Sequence, residues 1–155
     1  MSKKNTLIFF LFLLSFSGVK AREDLSYFYF NRITSDNGMS SNSIQSVIQD
    51  SYGFLWFGSN NKLNRFDGIN IKTYDCFDSV QNKRNNNISA LNEDTEKKLW
   101  IGTDKGVFIF DPLYESFSFF NLKTEEGILI DDWISDIKSD FMQNIWIISP
   151  NQGLF

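Results

Sequence analysis

Three tryptophans at nearly equal spacing predict an all-β chain, an incomplete β-propeller of about three four-stranded blades. Trp56 and Trp100 lie 44 residues apart, and Trp100 and Trp146 lie 46 apart. The 44-residue offset also carries Ile44 onto Ile88, Asp50 onto Asp94, Gly58 onto Gly102, Phe66 onto Phe110 and Asp67 onto Asp111, while the 46-residue offset carries Asp94 onto Asp140. A self-similar period of ~40–50 residues is the length of one four-stranded propeller blade. Aromatic residues make up 17% of the chain, 17 of them Phe, and these are the large side chains that strands bury against one another.

The chain opens on a segment of a different kind. Lys3 and Lys4 precede an apolar run over 7–16, and the small residues of 17–21 follow. That order of charge, apolar run and small residues predicts a secretory signal peptide over 1–21, cleaved after Ala21. The apolar run is about half of the ~20 residues a bilayer span needs, which disfavours an uncleaved anchor. The remaining 22–155 form the partial propeller, with repeats of about 43–86, 87–132 and an incomplete 133–155. Loss of 1–21 takes away Lys3, Lys4 and Lys20 and leaves 12 basic against 19 acidic residues, a formal charge of −7. Such a surface disfavours phosphate backbones, so nucleic acid is a poor partner.

Within the first repeat, 43–49 sets Ile44, Val47 and Ile48 among small polar residues and reads as a strand. A turn follows, and 54–57 (FLWF) is a continuous apolar run, the pattern of a central strand covered on both faces. Gly58 ends it. Strands over 62–66 and 69–74 are separated by Asp67-Gly68, a hairpin signal. The second repeat follows the same plan over 88–91, 99–101, 107–110 and 116–120, with Asp111-Pro112 in the turn. Helical spacing is not sustained anywhere after residue 21. The repeat set is therefore Asp50, Trp56, Gly58, Asp67, Asp94, Trp100, Gly102, Asp111, Asp140 and Trp146. Each Trp could stack on a sugar ring, but one fixed place in consecutive strands is what sheet-on-sheet packing requires. Trp133, outside that register, is the better ligand candidate of the four.

The chain has no histidine, which removes a phosphoaccepting His, a His-based zinc site and His-assisted nucleophiles. No phosphate-cradling glycine motif is present. No catalytic, metal or cofactor residue is expected, and no ligand-binding residue is assigned. Cys76 is the sole cysteine and reads as a small, half-buried packing residue at a strand end.

The runs FNRI at 30–33, DNGMSSNSI at 36–44, QDSYGFLWFGS at 49–59 and LNRFDG at 63–68 resemble the opening of the two-component regulator propeller family, and the likeness extends over 28–155. That family forms the N-terminal periplasmic sensor region of Bacteroides-type hybrid two-component systems. The resemblance implies a sensor of two seven-bladed propellers, an Ig-like domain, a membrane helix, a cytoplasmic histidine kinase, a receiver and a DNA-binding module. It also implies an oligosaccharide as the ligand, a periplasmic location and a strand over 27–33 that closes the ring. The 155 residues hold three repeats, with no further membrane span, kinase or receiver. The expectation is therefore a truncated sensor, not an enzyme and not able to signal alone, whose partners are the rest of a propeller or other copies of itself.

Local departures from the pattern fall at turns and at one packing position. Lys62 stands where the second repeat has Gly106, Lys97 and Gln143 replace Gly53, Ile148 replaces the Gly58 and Gly102 position, and Gly153 comes one residue late. The hairpins at Lys97 and Gln143 must use another turn type or a non-Gly residue at positive φ. Two other readings remain open. One is a propeller-type carbohydrate-active enzyme, which needs paired carboxylates; the adjacent pairs Glu125-Glu126 and Asp131-Asp132 read better as solvated loop charge, since neighbours on a strand point to opposite faces. The other is a protein-interaction β module, because blade edges can recruit a strand.

Overall fold

The computed structural model describes residues 29–155, so the expected signal peptide lies outside the described residues. Thirteen strands follow one short 3-10 turn at Ser35–Asn37. Blade one is β1 (Ile44–Gln49), β2 (Leu55–Ser59), β3 (Leu63–Phe66) and β4 (Ile71–Tyr74), hydrogen-bonded in that order as an antiparallel meander. A two-stranded hairpin, β5 (Phe77–Asp78) with β6 (Lys83–Arg84), connects it onward. Blade two is β7 (Ile88–Glu93), β8 (Leu99–Thr103), β9 (Gly106–Asp111) and β10 (Ser116–Phe120). Blade three has β11 (Asp136–Ser139), β12 (Ile145–Ser149) and β13 (Gly153–Leu154).

The repeat read from the sequence is a repeat of register. Ile48 pairs with Trp56, Asn92 with Trp100 and Lys138 with Trp146. The first strands of blades one and two both carry a bulge, one after Ile44 and one after Ile88. In the second, the freed Ser89 hydroxyl donates to the carbonyls of Gly102 and Ile134, which ties blade two to blade three. A bulge kept at one position in two repeats re-aims a side chain for a fixed task.

Two apolar clusters lie between the sheets. Trp56, Leu63 and Tyr74 of blade one pack with Leu91, Leu99, Ile101, Phe108 and Phe110 of blade two. Phe110 meets the Trp56 ring edge-on at 5.5 Å and the Tyr74 ring at 5.1 Å, aromatic geometry that adds to simple area burial. The second cluster joins Ala90 and Val107 to Ile134, Ile137 and Ile147 of blade three. Blade two thus covers one face of blade one and blade three one face of blade two, while Leu55 and Phe57 on the other face of β2 are only half-buried.

Several sequence expectations change in detail. Residues 29–33 form no strand. The β5–β6 hairpin has no clear signal in the sequence; Asp78 builds it by accepting from the backbone N–H of Val80 and Gln81, and its second oxygen accepts from Phe119 N–H at 2.8 Å. Cys76 is fully buried, not half-buried, because it packs in the cluster between blades one and two. Lys97 and Gln143 keep the turn of Gly53 with positive φ of 67° and 69°, and Lys62 matches Gly106 at 91° against 90°.

Candidate functional site

The turn from the first to the second strand of each blade is built by one carboxylate. Asp50 accepts from the backbone N–H of Tyr52 and Phe54 with one oxygen and from the Trp56 indole N–H with the other, at 2.7 Å. Asp94 does the same with Glu96, Lys98 and the Trp100 indole at 2.8 Å. Asp140 serves Met142, Asn144 and the Trp146 indole at 3.0 Å. The spacing follows from the strand. Asp at i reaches two turn amides at i+2 and i+4, and the indole at i+6 swings back over the same turn. In all three blades the carboxylate thus ties the turn amides to the indole of the second strand. Asp67 and Asp111 each accept from two turn amides just after them.

Beside the first clasp lies a cleft of about 430 Å³ between blades one and two. Tyr52 and Phe54 of blade one and Pro112 and Leu113 of blade two line it, together with Glu96, Lys97 and Asp111. Arg65 also lines it. The β2–β3 register sets Arg65 opposite Trp56, so its guanidinium lies 4.7 Å from the Phe54 ring centre and 5.8 Å from that of Trp56. Stacking on ring faces holds a guanidinium in place without using its N–H donors. Among the described residues no hydrogen bond or salt bridge engages that group. The equivalent cleft of blade two, about 390 Å³ beside Asp94 and Trp100, has Ile109 where blade one has Arg65, so a guanidinium is present in the first and not in the second.

This cleft escaped the sequence reading. Arg65 belongs to a strand of mixed polarity, and its stacking partners lie on the neighbouring strand, so no local pattern marks it. Trp133 is exposed in the loop before β11 and does not line the cleft. The acidic pairs sit on the segment between β10 and β11. The Asn151 amide and the Trp133 N–H hold Asp132 below the usual carboxylate range, and the Thr124 hydroxyl does so for Glu126. A glycosidic proton donor needs the opposite shift.

Antiparallel four-stranded meanders clasped by an Asp–Trp pair and stacked face to face define blades of a β-propeller type. The two-component regulator propeller family model matches residues 38–61 and 82–105, one match in each of the first two blades. The resemblance read from the sequence holds. Over 71 residues the chain is 35% identical to "Histidine kinase P4" of Formosa agariphila, covering 46% of this chain and 5% of the relative. It is similar in fold to the extracellular domain of a protein described as the hybrid two-component system BT3049 of B. thetaiotaomicron. That match has a TM-score of 0.68 and 26% identity, over 80% of this chain and 18% of the other. The extracellular domain of BT4673 from the same organism matches with a TM-score of 0.62 and 26% identity, over 75% and 17%. The chain therefore spans a small part of each of these proteins. No helix among the described residues is long and apolar enough to cross a membrane.

Proposed function

We propose that these blades are part of the extracytoplasmic sensor propeller of a hybrid two-component system, exported by the segment 1–21 to the periplasm, and that the ligand sensed is an oligosaccharide. The observation that carries the reading is the superposition on a hybrid-system extracellular domain at a TM-score of 0.68, together with family repeats in two successive blades. Signalling belongs to a kinase that such a sensor serves, and the blades themselves act by binding, not by turnover.

Within them, the cleft of blade one has the chemistry of a sugar subsite. A pyranose offers an apolar C–H face and a rim of hydroxyls. Tyr52 and Phe54 supply ring surface, the free N–H groups of Arg65 supply donors, and Glu96 and Asp111 supply acceptors. The test is calorimetric titration of the chain with a panel of host and plant oligosaccharides, followed by analysis of the sugars. Saturable binding without new reducing ends supports the sensor. New reducing ends would favour the carbohydrate-active enzyme, and an absence of binding across the panel would count against the oligosaccharide.

A further inference from the structure

Both blade junctions in this chain are the same interface used twice. On the leading sheet, Trp and Gly two residues apart on the second strand face forward. On the following sheet, an isoleucine at or just before the start of the first strand projects back into the space above the glycine. A Cβ placed on Gly58 would lie 2.5 Å from Ile88 Cγ2, and one on Gly102 would lie 2.8 Å from Ile134 Cγ2. Neither approach leaves room for a methyl group. Glycine is the hole and isoleucine the knob, and Ile88 and Ile134 are both fully buried as a result.

The described blades present two more faces of this kind. The forward face of blade three shows Trp146 at 43% exposure and Ile148 at 40%, where Trp56 at its junction is 0% exposed. The backward face of blade one shows Ile44 at 39% and Val47 at 58%, at the positions where blade two buries Ile88 and Leu91. These are the two halves of the junction, and two copies could in principle join head to tail through them. The hole, however, is absent. Ile148 occupies the position of Gly58 and Gly102, and it faces forward beside Trp146 while Ile147 faces back into blade two. An incoming Ile44 would meet Ile148 where the inner junctions have no side chain at all.

The geometry points to Ile148 as a specificity-determining residue of this face. The forward face of blade three takes a propeller blade whose innermost strand carries Gly, Ala or Ser at the knob position, and it rejects a second copy of this chain. The occupant follows from continuity with the two junctions already formed. A blade covers a Trp face, and with the larger side chain now on the leading sheet, the smaller must come from the following one. A rejecting contact of this kind sets partner choice as firmly as an attractive one. It also protects against the head-to-tail assembly that heterologous interfaces otherwise propagate. Lys138 strengthens the barrier, since it stands beside Trp146 where blade one has the apolar Ile48, and lysine on an open sheet face discourages unselected pairing.

Sedimentation velocity on the whole chain tests this, comparing the wild type with Ile44→Ala, Ile148→Gly and the double variant. Ile44→Ala supplies the small knob that the face is built to accept, and Ile148→Gly restores the hole that Ile44 would fill. Each single variant is expected to associate head to tail at least tenfold more tightly than the wild type. The double variant, with neither knob nor filled hole, is expected to be weaker than both. Adding Trp146→Glu should abolish the new association and so place it on this face. Wild-type association through Trp146 as tight as that of the variants would overturn the assignment, as would two folded single variants that sediment like the wild type. Both isoleucines are partly exposed, and circular dichroism verifies folding; if one variant fails to fold, the other carries the test alone. The inference rests on the blade packing and not on the sensor reading, so a failed oligosaccharide titration leaves it standing.

Discussion

The Asp50 carboxylate holds the Trp56 indole N–H at 2.7 Å, and that bond fixes the tryptophan ring against the aromatic face of the next blade. One charged group thereby closes a turn and orients the main packing residue of a junction. Replacing Asp50 with Ala should destabilise the chain by about 2–4 kcal/mol, since it strands two turn amides and a buried indole N–H. Denaturant unfolding followed by tryptophan fluorescence would measure it. The same change at Asp140, where Trp146 is open to solvent, should cost clearly less.

Gly58 is a packing residue, not a turn residue. Gly58→Ala should cost about 1–3 kcal/mol through overpacking against Ile88. The penalty should shrink in an Ile88→Ala background, because the clashing methyl is gone. A double-mutant cycle measured by thermal unfolding reads that coupling, and strictly additive penalties would contradict it.

Acid should loosen the tie between the β5–β6 hairpin and β10. Burial of Asp78 acts to raise its pKa, but the backbone N–H groups of Phe119, Gln81 and Val80 outweigh it and hold the carboxyl below its ordinary value of 3.8. A carboxylate depressed in the folded state contributes stability above the unfolded pKa, and that contribution is lost as pH falls through the folded value. Stability should therefore decline below about pH 4, and Asp78→Asn should flatten this part of the profile. Chemical denaturation at pH 2.5, 4 and 6 would show it.

Cys76 should be inert while the chain is folded. Burial drives its thiol pKa up, and the Asp75 carboxylate beside it pushes the same way. A thiol-specific reagent should modify it only at the rate at which blades one and two separate, so labelling should speed up with denaturant in step with unfolding. Rapid labelling in native buffer would contradict that.

Arg65→Leu should leave stability within about 1 kcal/mol, the size of a partly exposed cation–π contact. If the cleft of blade one binds sugar, the same change should weaken oligosaccharide binding at least tenfold, because it removes the free donors and keeps the aromatic wall. Calorimetry on the two proteins compares them directly.

The blades were legible because their signals are local. Asp at i and Trp at i+6 are tied by one carboxylate within a single hairpin, and the apolar run 54–57 marks a strand whose Trp56 is fully buried. A 44-residue offset then shows that the unit is used again. The glycine substitutions were legible as irregularities: Lys97 and Gln143 adopt the positive φ that replacing Gly53 demands, and Gly153, one residue late, lengthens its turn. What that lengthening does was not visible. Ser59 and Thr103 donate to the carbonyl three residues on, while the matching Ser149 hydroxyl is buried with no partner among the described residues. The β5–β6 hairpin was missed because Asp78 is anchored by Phe119, a residue 41 positions away.

By itself the sequence determined the all-β class, the recurring Asp and Trp positions and the family those repeats resemble, since each is written in spacing within or between hairpins. Only the tertiary structure decided what lies across a junction. Gly58 opposite Ile88, Phe110 edge-on to Trp56, and Ile148 filling a place its two predecessors leave empty all depend on which sheet faces which. Side chains from different hairpins meet there, and no local periodicity records that meeting.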